Sequence, residues 1–391
     1  MMEKVLIEVL NIGIKDKRKD AVCFKLPCLS KIAVVSTKNK YAAAPVILSK
    51  SHISKSTPKY ILVNSGNANA CTGKIGMNNA VKCTKILSKK FKCKKENILL
   101  SSTGIIGRQL PIDKVIKSLD THNFKFKSTW KQAATAIMTT DKFSKYISRS
   151  FLLHNTKITI NAICKGAGMI EPNMATMLSF ISINIDLKKS ALTKILKKSV
   201  NSSFNMISVD GDMSTNDTVM LITTGENKDI DFSNDKKMFN VLESELIKVC
   251  CDLSTMIIDD GEGSTKIIKL NIHKAYNLNQ AKKISYSLAN SNLIKTAMYG
   301  ADPNWGRIIA RLGSINNINF TDKKVILKIN NIMVYKNGIQ YDKCDLKKLN
   351  KSMMKKNIVI DLFINSGNAS HSVLTSDLSH EYIHINSAYT T

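Results

Sequence analysis

Apolar and polar positions along this chain alternate in short blocks from one end to the other. Ile158, Ile160 and Ala162 interleave with Thr159 and Asn161, the two-residue period of a half-buried strand. Leu178 to Ile185 is an Ile-rich run and predicts a second strand. Asp186 stands where a helix cap belongs, ahead of a helix through about Val200 with Ala191, Leu192, Ile195 and Leu196 on one face. Val325 to Val334, followed by Asn337-Gly338, predicts a hairpin. Mixed blocks of this kind make the class α/β or α+β, with no long linker and no solenoid repeat. Asn-Ser-Gly-Asn-Ala occurs at 64–68 and again at 365–369, a coincidence in a chain so rich in Asn.

Five stretches are dense in Gly, Asn, Thr and Asp where a core would not place them. They are Asn64 to Gly73, Ser101 to Gly107, Lys165 to Thr176, Val209 to Thr218, and Asp259 to Thr265. Each alone reads as a turn, yet small polar loops at strand ends are where sites are built. None is a P-loop or a dinucleotide fingerprint, and the seven His form no metal-binding pair. Asp210, Asp212, Ser214 and Asn216 resemble the start of a calcium loop. Thr215 stands where that loop needs Gly, and Leu221 where it needs Glu, so the reading is rejected.

Composition narrows the partners. The 391 residues are enough for one large domain or two to three ordinary ones, and at 43% hydrophobic they can bury a sizeable core. Net charge is +28, which by itself points to nucleic acid or an anionic membrane. Only five positions are Arg, namely Arg18, Arg108, Arg149, Arg307 and Arg311; the remaining positive charge is Lys. Nucleic-acid readers lean on Arg for bidentate contacts, so the Lys and Asn excess fits a biased coding composition better than a nucleic-acid partner. Lys89, Lys90, Lys92, Lys94 and Lys95 read as a solvated segment after a helix. Nine scattered cysteines without a CxxC pair fit reduced, mostly buried thiols. Cys164, beside the third loop, also reads first as packing. The first ten residues lack a signal peptide's apolar stretch, and no apolar run approaches the ~18 residues of a membrane span. A cytoplasmic protein with no membrane partner is expected.

One stretch carries chemistry. A strand ends at about Cys164, a turn containing Gly and Pro follows, and the next strand begins almost at Thr176. Cys164 to Leu178 resembles the cleavage region of the bifunctional ornithine acetyltransferase/N-acetylglutamate synthase family. Ala42 to Val46, Val63 to Gly73, Ser102 to Gly107 and Ile137 to Asp141 resemble the same family ahead of it. Val209 to Thr218, Asp260 to Gly263 and Asp302 to Arg307 do so behind it. The motifs are collinear and span nearly the whole chain.

The resemblance implies a layered α/β sandwich of the N-terminal-nucleophile kind. It implies that Thr176 attacks the carbonyl of Ala175 and cuts the chain into 1–175 and 176–391, both halves forming one shared active site. Thr176 would then be nucleophile, and its freed amine, with a pKa of about 7.7–8.0, the base beside it. Thr103 and Gly104 match the family's oxyanion-stabilising pair. Thr140, Lys165, Thr176, Glu262, Asn386 and Thr391 match its substrate-binding residues. The implied reaction moves acetyl from N²-acetyl-L-ornithine to L-glutamate through an acetyl-threonine, with no metal or organic cofactor. Acetyl-CoA as a second donor is left open, and an α2β2 assembly is expected. Leu374 and Ser376 stand where the family tends to have Trp and Cys, and Glu171 is also a departure. The rival reading is a related self-cleaving aminopeptidase; the loops at Asn64 to Gly73 and Lys165 to Thr176 favour the transferase.

Overall fold

A computed structural model describes residues 4–16, 18–153, 155–171, 177–227, 232 and 235–388. The first stretch runs β1 (Leu6–Leu10), β2 (Ala21–Lys25), β3 (Lys31–Ser36), α1 (Ala44–Lys55), β4 (Tyr60–Asn67), α2 (Gly73–Lys90), β5 (Ile98–Ile105), α3 (Ile112–Thr121), α4 (Trp130–Ala136), β6 (Lys145–Leu153) and β7 (Thr156–Lys165). Then come β8 (Leu178–Ile183), α5 (Lys189–Asn201), β9 (Ile207–Ser208), β10 (Thr218–Thr223), α6 (Lys236–Asp259), β11 (Ile267–Ala275), α7 (Leu278–Ala289), α8 (Asn292–Tyr299) and α9 (Trp305–Gly313). The last are β12 (Ile326–Ile329), β13 (Ile332–Lys336), β14 (Ile339–Gln340), α10 (Leu346–Met353), β15 (Asn357–Phe363), β16 (Ala369–Ser376) and α11 (His380–Ala388).

The strands form three sheets, ordered β1-β2-β4-β5, β3-β10-β8-β7-β6 and β14-β13-β12-β15-β11-β16-β9. Alternate side chains explain how the first two stack. On β2, Val22 and Phe24 face one core while Ala21 and Cys23 face another. On β8, Leu178 and Phe180 enter the same core as Val22 and Phe24, while Ile181 and Ile183 turn to the opposite side. The period of two therefore sends each strand's apolar residues into two separate cores. The shared core lies between the sheets. Helices α1, α2 and α3 cover the outer face of the first sheet, and α5 and α6 that of the second. The result is a helix–sheet–sheet–helix sandwich. The third sheet buries Ile268, Leu270, Ile358, Ile360 and Leu362 beneath α7 to α10. The mixed α/β class read from the sequence holds.

Three local expectations change. Helix α5 starts at Lys189 with Lys188 as its cap residue; Asp186 instead pairs with Lys31 of β3 at 2.5 Å. The Val325 to Val334 strand is two strands, because Asn330 and Asn331 turn the chain with φ of 49° and 64°. Asn337-Gly338 closes a second, shorter hairpin. In the lysine-rich segment Phe91 is not solvated: its ring stacks on Tyr60 with centroids 4.0 Å apart.

Candidate active site

All five polar loops converge on one end of the sandwich. The ends of β4, β5 and β7, the loop ahead of β10 and the turn after α6 enclose a cavity of about 190 Å³. Ala68, Thr103, Lys165, Asn216 and Glu262 each come from a different one of the five. The Thr139-Thr140 segment after α4 and helix α11 complete the wall. Its volume is below the roughly 300–1,000 Å³ of sites for drug-sized ligands, so the occupant is small.

One side of the cavity is formed by the end of β5. Thr103 and Gly104 end β5, in parallel register with Ser65 and Gly66 of β4. Gly104 has φ of +129°, and a Cβ there would overlap the Gly66 backbone and lie 2.5 Å from the Asn67 nitrogen. Only glycine fits that approach. Lys165 Nζ donates to Thr103 Oγ1 at 3.2 Å, which leaves the hydroxyl proton to be given elsewhere. Lys165 is 5% exposed. Burial pushes its pKa below the ordinary lysine value and Lys145 adds to this, while Asp141, Glu262 and Asp217 oppose it.

A row of buried charges holds this wall from behind. Asp141 accepts from Lys145 Nζ, the Gly166 N–H and the Thr139 N–H, each at 2.8 Å. Lys145 also reaches Asp260, which accepts from the Lys142 N–H at 3.0 Å. Burial alone would raise the Asp141 carboxyl, but Lys165 and Lys145 outweigh it and hold the group well below the usual carboxylate range. The arrangement fastens the Thr140 segment to the turn that follows Lys165.

Another part of the lining is acidic. Glu262 is anchored by its N–H to Ala167 O at 2.9 Å, and its carboxylate accepts from Asn386 Nδ2 at 2.8 Å. Gly168 lies against that carboxylate so closely that a Cβ would overlap it. Asp210 accepts from the Met169 and Ile170 N–H groups at 2.6 and 2.8 Å, and from Tyr382 Oη at 3.4 Å. Burial raises the Asp210 carboxyl above its ordinary value, against those backbone bonds. Lys165 beside Thr103 and Gly104, with carboxylates in the same lining, suits a small molecule with separated carboxylate and ammonium groups.

Thr103, Gly104, Thr140, Lys165, Glu262 and Asn386, six residues singled out in the sequence, therefore line one cavity. Ala175, Thr176 and Thr391 lie outside the described residues. Cys164 is packing: it is 1% exposed and burial pushes its thiol up to about 12. All nine cysteines are unpaired, but four are buried, three half-buried and two exposed, fewer buried than expected. Asp210, Asp212, Asn216 and Tyr382 also line the cavity and were not picked out as site residues. Tyr382 is findable, since it stands four residues before Asn386 and so shares its helix face. Of the departures, Ser376 accepts from the buried Lys295 through its carbonyl at 2.7 Å, and Glu171 accepts from Asn290 at 3.3 Å. No cluster of three or more metal-ligating side chains occurs among the described residues.

The ArgJ family model matches residues 6–391. An arginine biosynthesis bifunctional protein ArgJ 1 from Clostridium acetobutylicum is 39% identical over 387 residues, covering 96% of this chain and 93% of its own. A mitochondrial counterpart from Dictyostelium discoideum is 40% identical over 382 residues, covering 92% and 86%. The crystal structure of an arginine biosynthesis bifunctional protein from Bacillus halodurans matches with a TM-score of 0.51 at 29% identity, covering 55% of this chain and all of that one. A cavity assembled from the very loops that carry the family's motifs, and a match from residue 6 to residue 391, lead to one conclusion: this chain belongs to the ArgJ family.

Proposed function

We propose that this chain is an acetyltransferase of arginine biosynthesis, moving acetyl from N²-acetyl-L-ornithine to L-glutamate. The observation that carries the reading is the cavity itself. Thr103 and Gly104 stand beside Lys165, and the bonded pair Glu262 and Asn386 lines the same cavity. Acetylornithine has a carboxylate for the lysine and a side-chain ammonium for Glu262. Its acetyl carbonyl would lie toward the Thr103 hydroxyl and the Gly104 N–H, which take up the charge that forms on attack.

Thr176 is the nucleophile of this proposal. Cleavage between Ala175 and Thr176 frees an amine on the same residue as the attacking hydroxyl, so base and nucleophile arrive together. The acetyl group passes to the hydroxyl, ornithine leaves, and the amine of glutamate attacks the resulting ester. Thr140 and Thr391 complete the substrate contacts. Donor and acceptor occupy one site in turn. Acetyl-CoA, as an alternative donor, would present only its acetyl end to a cavity this small. We place the enzyme in the cytoplasm as an α2β2 assembly; no helix among the described residues is long and apolar enough to cross a membrane.

The test is acetyl transfer from acetylornithine to glutamate with purified protein, run with and without acetyl-CoA. Parallel double-reciprocal lines and a trapped acetyl-enzyme are expected. Peptide hydrolysis without glutamate-dependent transfer would favour the aminopeptidase reading. Intersecting lines with no acetyl-enzyme would remove the covalent route.

A further inference from the structure

The proposed reaction sets one cavity a problem of charge. Acetylornithine and glutamate share an α-carboxylate and an α-nitrogen, the atom that acetyl leaves or joins. Their side chains end in opposite charges, an ammonium in ornithine and a carboxylate in glutamate. If both occupy one site in turn, both side-chain ends meet the same lining. Asp210, Asp212 and Glu262 all belong to it. Such carboxylates favour the ammonium, but like charge works against a further carboxylate placed among them. Glutamate therefore needs a hydrogen-bond donor in the acidic part of the lining that ornithine does not use.

Helix α11 carries one. Tyr382 and Asn386 stand four residues apart on it, and both line the cavity. The helix is seated on the turn that holds Glu262. Ser379 Oγ, just ahead of the helix, donates to Gly263 O at 2.6 Å, and a Cβ on Gly263 would overlap the Tyr382 nitrogen. Asn386 Nδ2 is already given to Glu262 at 2.8 Å and to the Tyr382 carbonyl at 3.0 Å. The Tyr382 hydroxyl is held less firmly. It donates to Asp210 Oδ2 at 3.4 Å, the far end of hydrogen-bond range. That carboxylate has better donors: the Met169 N–H reaches the same oxygen at 2.6 Å, and the Ile170 N–H reaches Oδ1 at 2.8 Å. Turning the hydroxyl away would leave both oxygens of Asp210 paired, so no buried acceptor is orphaned by the move. Burial holds this hydroxyl above the ordinary tyrosine value, and Asp210, Glu262 and Asp212 add to this, so it keeps its proton.

We propose that Tyr382 is the residue that lets this cavity take glutamate as acceptor: its hydroxyl turns from Asp210 and donates to the glutamate side-chain carboxylate. With ornithine bound it stays on Asp210, and the ammonium is left to Glu262. The inference rests on the proposed acetyl transfer, in which donor and acceptor use one site in turn.

The experiment compares wild type with Tyr382→Phe in two partial reactions. One is exchange of labelled ornithine into acetylornithine with no glutamate present. The other is exchange of labelled glutamate into N-acetylglutamate with no ornithine present. Both pass through the same acetyl-enzyme. Tyr382→Phe keeps the ring and removes the donor. It is expected to lower kcat/KM for glutamate roughly 10–150-fold, the worth of a hydrogen bond to a charged group, chiefly through a higher KM, while ornithine exchange stays within about threefold of wild type. Unchanged glutamate exchange overturns the proposal. An equal loss of both exchanges also overturns it, because a ring with only a structural role would serve both substrates alike. If Tyr382→Phe is recovered unfolded, Tyr382→His decides: its shorter ring is expected to lower glutamate exchange selectively, and an equal loss of both exchanges in it overturns the proposal. A wild-type protein that shows neither exchange overturns the functional reading instead, and the role of Tyr382 with it.

Discussion

Replacing Thr103 with Val removes one hydroxyl and adds one methyl at nearly constant volume. The structure separates its two effects. The hydroxyl accepts from Lys165 at 3.2 Å and has its own proton left to give to the substrate oxygen. In the proposed site, losing that proton would remove one of two oxyanion donors, because the Gly104 N–H remains. One such donor is worth about 2.7–4 kcal/mol, so the turnover rate is expected to fall ~10²–10³-fold. The other effect is on stability. Lys165 loses the one hydrogen bond its Nζ makes among the described residues, at a cost of roughly 1–3 kcal/mol. For a chain of this length that lowers the unfolding midpoint by only a few degrees. The assay is steady-state acetyl transfer at saturating acetylornithine, alongside thermal unfolding. A variant that folds and turns over within threefold of wild type would refute the reasoning and leave Thr103 as a turn residue.

Three further outcomes are expected. Purified protein should separate under denaturing conditions into chains of 175 and 216 residues (391 − 175 = 216), and Thr176→Ala should stay at 391; active wild type found only at full length would remove Thr176 as nucleophile. Glu262→Gln keeps the shape but not the charge, and should lower kcat/KM for acetylornithine roughly 10–150-fold, the worth of a hydrogen bond to a charged group; an unchanged value would place the substrate ammonium elsewhere. His371 is pushed down from 6.5 to about 4 by burial, with Lys282 adding, so the fold favours its neutral ring. Its contribution to stability is complete above about pH 6.5 and lost as the pH falls through about 4. His371→Gln should flatten the fall in unfolding midpoint over that window, and equal slopes in both proteins would show that other groups cause it.

How far the sequence could be read differed from feature to feature. The Ile-rich strands β7 and β8 were visible because apolar side chains on one face must alternate or run on when both faces are buried. That two sheets share Phe24 and Phe180 was not visible, since pairing across sheets leaves no local pattern. The turn at Asn330-Asn331 was missed for a compositional reason: in so Asn-rich a chain, Asn carries little turn signal. Asp186 looked like a cap but pairs with Lys31, 155 positions earlier, which no local rule foresees. The five site loops were legible as loops, and their convergence was carried by family resemblance rather than by spacing.

The pairing of β7 with β8 has a consequence for how the molecule falls apart. These strands flank the connection that the proposed cut would sever, and they remain joined by a ladder from Ile160↔Ile183 to Lys165↔Leu178. Opening that connection would break none of the ladder, so the two pieces would be expected to stay docked as one body. Unfolding of the cut molecule then releases two particles instead of one, and the law of mass action applies to it. Each tenfold dilution would weaken the assembled form by about 1.4 kcal/mol. The thermal midpoint of the cut enzyme would climb with protein concentration, while that of an uncut Thr176→Ala chain would stay fixed.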